Sequence, residues 1–183
     1  MTINGSHAIT IAGVERKLPL LEIKAGLRIA VLNILGDTEL VEASAAALKE
    51  KLAETDYDVI ITAEAKSIPL AYALAVHTGK PYAVLRKSYK PYMGVALTAE
   101  TLSITTGKPQ TLILDEKDQA LIKGKNVILL DDVISTGSTL KGMRKLMKKA
   151  KAEVTADVAI LTEGDPEEWT HVVSLGHIPL FTD

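Results

Sequence analysis

Two neighbouring carboxylates, Asp131 and Asp132, end an apolar run and lead into a loop of small hydroxylated residues, in the stretch VILLDDVISTGSTLKG over residues 127–142. Carboxylates hold sugar hydroxyls or a hydrated cation. The loop opens a helical pattern, so its successive backbone N–H groups form an anion cradle that the helix dipole reinforces. The cradle residues are Ser135, Thr136, Gly137, Ser138 and Thr139. Because a sugar phosphate has both kinds of group, the stretch predicts a sugar phosphate site.

A simpler interpretation is an ordinary turn from strand to helix, in which Asp132 is solvated and Ser138 caps the helix. The apolar strand, both acids and the whole S-T-G-S-T run together favour the anion site. Gly137 permits the turn and the close approach that a side chain would obstruct. The loop is not of the Walker type, because no G-K-[ST] sequence ends it.

Predicted strands alternate with predicted helices along the chain, which indicates parallel βαβ units. In such a sheet, ligands bind beyond the carboxyl ends of the strands, where the acids and the loop are expected. The predicted strands are 27–33, 57–65, 80–88, 125–132 and 153–164. The predicted helices are 40–54 after a cap at Asp37, 67–79 closed by Gly79, and 138–150 with Leu140, Met143, Leu146, Met147 and Ala150 on one face. The segment from Ser88 to Leu114 has no lasting apolar period, and it is either a β-hairpin or a mobile loop.

Composition excludes several classes of protein. A chain of 183 residues predicts a single domain, and 47% hydrophobic with 24% charged residues is typical of globular proteins. A net charge of −2 gives no basic surface for nucleic acid, and the absence of cysteine excludes disulfides and thiolate chemistry. No signal peptide or membrane span is apparent. We therefore expect a cytoplasmic protein without nucleic-acid or membrane partners.

The stretch VILLDDVISTGST resembles the 5-phosphoribosyl 1-diphosphate (PRPP) signature of the type I phosphoribosyltransferases. The resemblance covers about residues 27–179. It implies a parallel β-sheet flanked by helices, with a small hood from about 1–36 and 163–183. It also implies that Asp131 and Asp132 hold the ribose hydroxyls, and that residues 135–139 hold the 5′-phosphate.

Two further segments are similar to the pyrophosphate-binding parts of purine phosphoribosyltransferases. The loop EAKSIPLA begins with Glu64, Ala65, Lys66 and Ser67, and its lysine stands where adenine enzymes usually carry arginine. Arg86 and Lys87, with Lys90 behind them, end the third strand. The alternatives are a surface lysine at 66 and a solvated loop start at 86–90. The resemblance implies catalytic roles for Asp131, Asp132, Lys66 and Arg86.

The indicators of the purine base disagree. The segment VLNILGDTEL resembles the hood of bacterial xanthine phosphoribosyltransferases, and it places Asn33 at the base. At the place where 6-oxopurine enzymes often have a lysine, this sequence instead has Glu163 and Gly164, as adenine enzymes do. Ile134 is also expected at the base. We favour adenine, because an O6 atom without its donor is left unpaired. Trp169 is expected in the core or an interface rather than over the base, and His171 and His177 at the surface or in the hood.

The resemblance implies transfer of ribose 5-phosphate from PRPP to N9 of a purine, with Mg²⁺ as cofactor and a homodimer as the assembly. Residues 88–114 would form the flexible catalytic loop. Adenine enzymes carry a glutamate there, but Thr105 or Thr106 takes its place, and Glu100 is the only glutamate before the end of the loop. The alternatives are a xanthine/guanine enzyme and a non-catalytic PRPP-binding regulatory protein. The missing glutamate favours the regulator, whereas the retained Lys66, Arg86 and Lys87 favour chemistry.

Overall fold

The strands form a five-stranded sheet, a four-stranded sheet and a two-stranded hairpin in a computed structural model that describes residues 3–102 and 109–182. The strands are β1 Ile3–Ile11, β2 Val14–Lys24, β3 Leu27–Ala30, β4 Val59–Ala63, β5 Tyr82–Leu85, β6 Leu97–Leu102, β7 Pro109–Leu114, β8 Asn126–Ile134, β9 Glu153–Glu163, β10 Val173–Ile178 and β11 Phe181–Thr182. The helices are α1 Thr38–Lys51, α2 Ile68–Thr78, α3 Glu116–Ile122 and α4 Ser138–Ala150.

The five-stranded sheet is parallel, in the order β10-β9-β8-β4-β5. Helices α1 and α2 cover one face, and α3 and α4 cover the other. Neighbouring residues of β4 therefore enter different cores, Ile60 on one side and Val59 with Ile61 on the other. Burial on both faces explains why these strands have continuous apolar sequences. The predicted parallel sheet flanked by helices is confirmed.

The helices match the sequence pattern closely. Asp37 caps α1, since its side chain accepts a hydrogen bond from the N–H of Leu40 at 3.2 Å. Gly79 ends α2 with a φ of 69°. The predicted apolar face of α4 is buried, including Met143 and Met147. Helix α3 was not predicted, although Asp115 caps it and acidic residues occupy its first turn, which are both usual signals of a helix start.

The four-stranded sheet, in the order β1-β2-β3-β11, is the hood. Ala12 and Gly13 join β1 to β2, both with positive φ (48° and 81°), which is the two-residue turn that antiparallel hairpins favour. Residues 25–26 likewise join β2 to β3. Because such a short connection joins only antiparallel strands, β3 lies in the hood. The prediction that 27–33 begins the parallel sheet is wrong.

The carboxyl-terminal part of the predicted hood also differs from the structure. Among the described residues of the predicted segment 163–183, β11 pairs with β3 in the hood, whereas β10 pairs in parallel with β9. Strand β10 lies in the central sheet because Ile178 is fully buried in the core beneath it, with Val173 packed alongside. Strands β1 to β3 fall within the segment 1–36.

The segment 88–114 contains the predicted β-hairpin. Strands β6 and β7 are antiparallel, with Leu97 opposite Leu114, and Ala99 and Leu112 are buried in the same core as α4. Residues 103–108, which include Thr105 and Thr106, lie outside the described residues. Within the described ranges, no helix is long and apolar enough to cross a membrane.

Candidate functional site

The two acids of the motif lie near the end of β8, the middle strand of the parallel sheet. Asp132 is buried and Asp131 is half-buried. The cradle follows at once, with Gly137 in the left-handed region at φ 68° and α4 beginning at Ser138. Asp131 and residues 133–140 line one cavity of about 90 Å³. The structure therefore places the acid end and the predicted phosphate end of the motif beside a common space.

The loop after β4 closes over the acid pair. The Ser67 hydroxyl lies 2.9 Å from Oδ1 of Asp131 and 3.3 Å from Oδ1 of Asp132. The Lys66 ammonium group forms a 2.6 Å ion pair with Oδ2 of Asp132. The same ammonium donates to the carbonyl oxygen of Leu32 at 3.1 Å, at the base of the hood. Lys66 therefore connects the acid pair, its own loop and the hood.

A second ion pair joins the loop after β4 to the end of β5. Nε of Arg86 lies 2.5 Å from Oε2 of Glu64, and the backbone N–H of Lys87 donates to Oε1 at 2.6 Å. Burial acts to raise the pKa of Glu64, but the Lys87 N–H and the Arg86 guanidinium together hold it below its ordinary value. Ala65 and Lys90 are exposed. No described hydrogen bond or ion pair joins the Lys90 side chain to another predicted site residue.

The environment of the acid pair disfavours two negative charges. Burial, and then the neighbouring Asp132 carboxylate, raise the pKa of Asp131 to about 7, although the Ser67 hydroxyl acts the other way. At neutral pH, Asp131 is therefore partly protonated in the folded protein.

This pKa predicts how stability depends on pH. The unfolded chain releases the Asp131 proton near pH 4, whereas the folded chain keeps it until about pH 7, so the free energy of unfolding falls as the pH rises through that window. In Asp131→Asn this contribution is absent. We therefore expect the free energy of unfolding of the variant to rise relative to that of the wild type as the pH increases from 4 to 7. Urea unfolding at several pH values measures this difference. Parallel profiles for the two proteins would contradict the assignment.

The acid pair also suits Mg²⁺ that arrives with a phosphorylated substrate. Within residues 3–102 and 109–182, no three His, Asp or Glu side chains lie close enough together to hold a metal ion by themselves. Protein-bound Mg²⁺ commonly uses one or two carboxylates, substrate phosphates and water. Asp131 and Asp132 would supply the carboxylates.

The predicted base-binding residues lie on two elements. Ile134 and Glu163 are buried near the ends of β8 and β9. Burial raises the pKa of Glu163, whereas the Ser135 side chain and His177 act in the opposite direction. Asn33 is exposed after β3, and its Oδ1 accepts from the N–H of Leu35 at 3.3 Å. Because a backbone N–H only donates, this bond leaves the NH₂ group of Asn33 as a donor for a ligand.

Two residues have contacts that the sequence did not predict. The ring of Trp169 packs against the cradle, with Cη2 3.2 Å from the position that a Cβ of Gly137 would take. His177 is half-buried in β10 rather than in the hood, and its Nε2 donates to the carbonyl oxygen of Gly164 at 3.1 Å. Trp169 lies far from the cradle in the sequence and belongs to no periodic pattern, so no sequence signal marks this contact.

Comparison with known proteins gives the family. The model of the phosphoribosyl transferase domain matches residues 31–175. The purine biosynthesis transcriptional repressor PurR of Bacillus subtilis is 30% identical over 156 residues, which cover 85% of this chain and 52% of the repressor. A hypoxanthine/guanine phosphoribosyltransferase of Methanosarcina acetivorans is 36% identical over 115 residues, 62% of this chain and 57% of that enzyme. The chain thus spans little more than half the length of these curated relatives.

Solved structures share the fold at low identity. The adenine phosphoribosyltransferase of Thermoanaerobacter pseudethanolicus superposes with a TM-score of 0.72 at 19% identity, covering 88% of this chain and 95% of that one. That of Rhodothermus marinus gives a TM-score of 0.66 at 21% identity, covering 95% and 94%. The architecture described above is therefore that of these proteins. Since the family model matches most of the chain, the protein belongs to the phosphoribosyl transferase domain family.

Proposed function

We propose that the protein is a purine phosphoribosyltransferase, which transfers ribose 5-phosphate from PRPP to N9 of a purine base and releases pyrophosphate. The observation that carries the proposal is the convergence of three loops, those after β4, β5 and β8. Lys66 and Ser67 of the first loop contact the acids of the third, and Glu64 of the first contacts Arg86 of the second. A ligand at the acid pair therefore reaches all three loops.

Each loop has a chemical task in the proposed reaction. The N–H groups of 135–139 bind the 5′-phosphate at the N-terminus of α4, and Asp131 with Asp132 accepts hydrogen bonds from the ribose hydroxyls. The loop at 64–67 and Arg86 bind the pyrophosphate. When the bond from C1′ to oxygen breaks, its electron pair leaves with the pyrophosphate, and the sugar becomes oxocarbenium-like. N9 then forms the new bond to C1′, and its proton passes to water or to the released pyrophosphate. Bound Mg²⁺ would offset the negative charge of the leaving group.

Two internal ion pairs give the proposed mechanism a defined first step. Lys66 is paired with Asp132 and Arg86 is paired with Glu64, so both cations exchange an internal partner for an oxygen of pyrophosphate. When Lys66 moves away, the Asp132 carboxylate can accept hydrogen bonds from the ribose hydroxyls. Pyrophosphate and ribose therefore bind as one event, because the same ammonium group connects their two subsites.

For the base, we propose adenine. No lysine stands at 163–164, so O6 of a 6-oxopurine would lack a donor there, whereas the carboxyl oxygens of the buried Glu163 accept from the C6 amino group of adenine. One unpaired buried group costs about 1–3 kcal/mol, so adenine should exceed hypoxanthine and guanine in kcat/KM by roughly tenfold to a hundredfold. The free NH₂ group of Asn33 is the opposing feature, because it suits a purine carbonyl.

Asn33→Ala separates these two features. We expect the variant to keep nearly all of its adenine turnover, because the remaining hood contacts would recognise the base. The measurement is PRPP-dependent conversion of adenine, guanine, hypoxanthine and xanthine side by side, in wild type and variant. If xanthine is the best substrate of the wild type and Asn33→Ala removes that turnover, adenine is the wrong base and the enzyme is of the xanthine/guanine kind.

A second candidate is a PRPP-binding regulatory protein without turnover. It is favoured by the 30% identity to a transcriptional repressor along 85% of this chain, and by the threonines at 105 and 106 where adenine enzymes carry a glutamate. The same assay decides between the candidates. PRPP binding by calorimetry without conversion of any of the four bases would support the regulator and contradict the enzyme.

A further inference from the structure

Trp169 contacts the cradle at its glycine. Its Cη2 and Cζ3 atoms lie 3.2 and 3.5 Å from where a Cβ of Gly137 would be. The residues that line the cavity of the cradle are Asp131 and 133–140, and Trp169 is not among them. The ring therefore packs against the backbone of the loop at Gly137.

The indole ring is held in place at its other end. Its Nε1 donates to the carbonyl oxygen of Glu163 at 2.9 Å. The ring follows the short 3₁₀ turn Pro166–Trp169, in which the Asp165 side chain accepts from the N–H of Glu167 at 3.0 Å. The N–H of Val172 donates to the carbonyl oxygen of Trp169 at 2.9 Å. The position of the ring is thus fixed by the end of β9 and by the turn after it.

Glu163 contacts the same loop a second time. Its carboxyl group interacts with the side chain of Ser135, the first residue of the cradle, while its carbonyl oxygen holds the ring that packs on Gly137. One residue of β9 is therefore linked to both the start and the middle of the cradle. A loop with a glycine at positive φ has many accessible conformations, so such contacts reduce the entropy that it loses when it binds an anion.

We propose that Trp169 is a positioning residue for the phosphate cradle: anchored to Glu163, its ring holds residues 135–139 in the conformation that binds the 5′-phosphate. The inference rests on the proposed function, since it takes the cradle as the phosphate subsite. It assigns Trp169 to the phosphate end of the site and not to the base.

The first experiment compares Trp169→Leu with Val172→Ala. Val172 is buried in the same turn region and belongs to the core against which Trp169 packs, so it controls for loss of packing. Calorimetric titration with ribose 5-phosphate and with inorganic phosphate should show affinity about tenfold weaker in Trp169→Leu and within about twofold of wild type in Val172→Ala. In steady-state assays, Trp169→Leu should raise KM for PRPP about tenfold and leave KM for the base unchanged.

A double-mutant cycle tests the contact itself. Gly137→Ala places a methyl group against the ring, so it should weaken phosphate affinity more in the wild-type background than in Trp169→Leu.

The sequence contains one tryptophan. Its fluorescence should therefore change on titration of the wild type with ribose 5-phosphate, with the same Kd as the calorimetry.

The outcomes are distinguishable. If the wild type binds neither PRPP nor ribose 5-phosphate, the proposed function is wrong and the inference with it. If the wild type binds and Trp169→Leu binds equally well, the inference alone is wrong. It is also wrong if Trp169→Leu loses affinity for the base and keeps affinity for phosphate, or if Trp169→Leu and Val172→Ala reduce every affinity alike in step with their melting temperatures.

Discussion

Replacing Asp131 and Asp132 together by asparagine will weaken PRPP binding by more than about a hundredfold, while the protein remains folded. Each carboxylate would accept a charge-assisted hydrogen bond from the ribose, worth roughly 1.5–3 kcal/mol. The fold should survive because the substitution removes two like charges from a buried site where burial already raises the pKa of Asp131. Calorimetric titration with PRPP and Mg²⁺ measures the loss.

The matched control is Asp118→Asn. Asp118 is also buried, and burial raises its pKa too, but its described ion pair is with Lys117 and not with a residue of the proposed site. This variant should bind PRPP as the wild type does. Unchanged affinity in a folded Asp131→Asn, Asp132→Asn protein would remove the ribose subsite from the proposal.

The second large effect is expected at Gly137, where valine should abolish detectable binding of ribose 5-phosphate. A β-branched residue at φ 68° is strained by about 1–2 kcal/mol, and its Cβ would lie 3.2 Å from the Trp169 ring. The loop must therefore move, and its N–H groups no longer converge on the phosphate. Protection from thermal unfolding by ribose 5-phosphate is the measurement.

Gly79 provides a control with nearly the same backbone strain. Its φ is 69°, and a Cβ there meets nothing within 4 Å. Gly79→Val should lose stability through strain and keep its phosphate affinity. If both valine variants are too unstable to study, the alanine pair gives the same comparison. Equal protection of Gly137→Val and wild type by ribose 5-phosphate would show that the loop is not the anion site.

The parts of the site that lie close together in sequence were predictable. The buried strand, the acid pair, the cradle and α4 follow one another within 127–150, and each has a local signal: a continuous apolar run, then small residues, then a helical period. The apolar run persists because β8 lies at the centre of the sheet and is buried on both faces. Local pattern and tertiary position therefore agree there.

The contacts between distant segments were not predictable in the same way. The family resemblance assigned Lys66 and Arg86 to the pyrophosphate, but nothing local in the sequence shows that they pair with Asp132 and Glu64. Strand β3 was grouped with the parallel strands by its pattern but with the hood by the resemblance, because its apolar residues fit either sheet and the tight turn before it decides the pairing. Trp169 reaches Gly137 through the end of β9 and a turn, a path without any sequence period.

The pairing of β11 with β3 has a consequence for how the protein folds. Phe181 lies opposite Arg28, so nearly the whole chain separates the two partners. Closing so long a loop carries an entropic cost that shorter contacts do not, and contacts of this kind slow folding. The parallel sheet can assemble while the fourth strand of the hood is still free. We therefore expect β11 to join the hood last, after the antiparallel strands β1 to β3 have paired and after the cradle has formed.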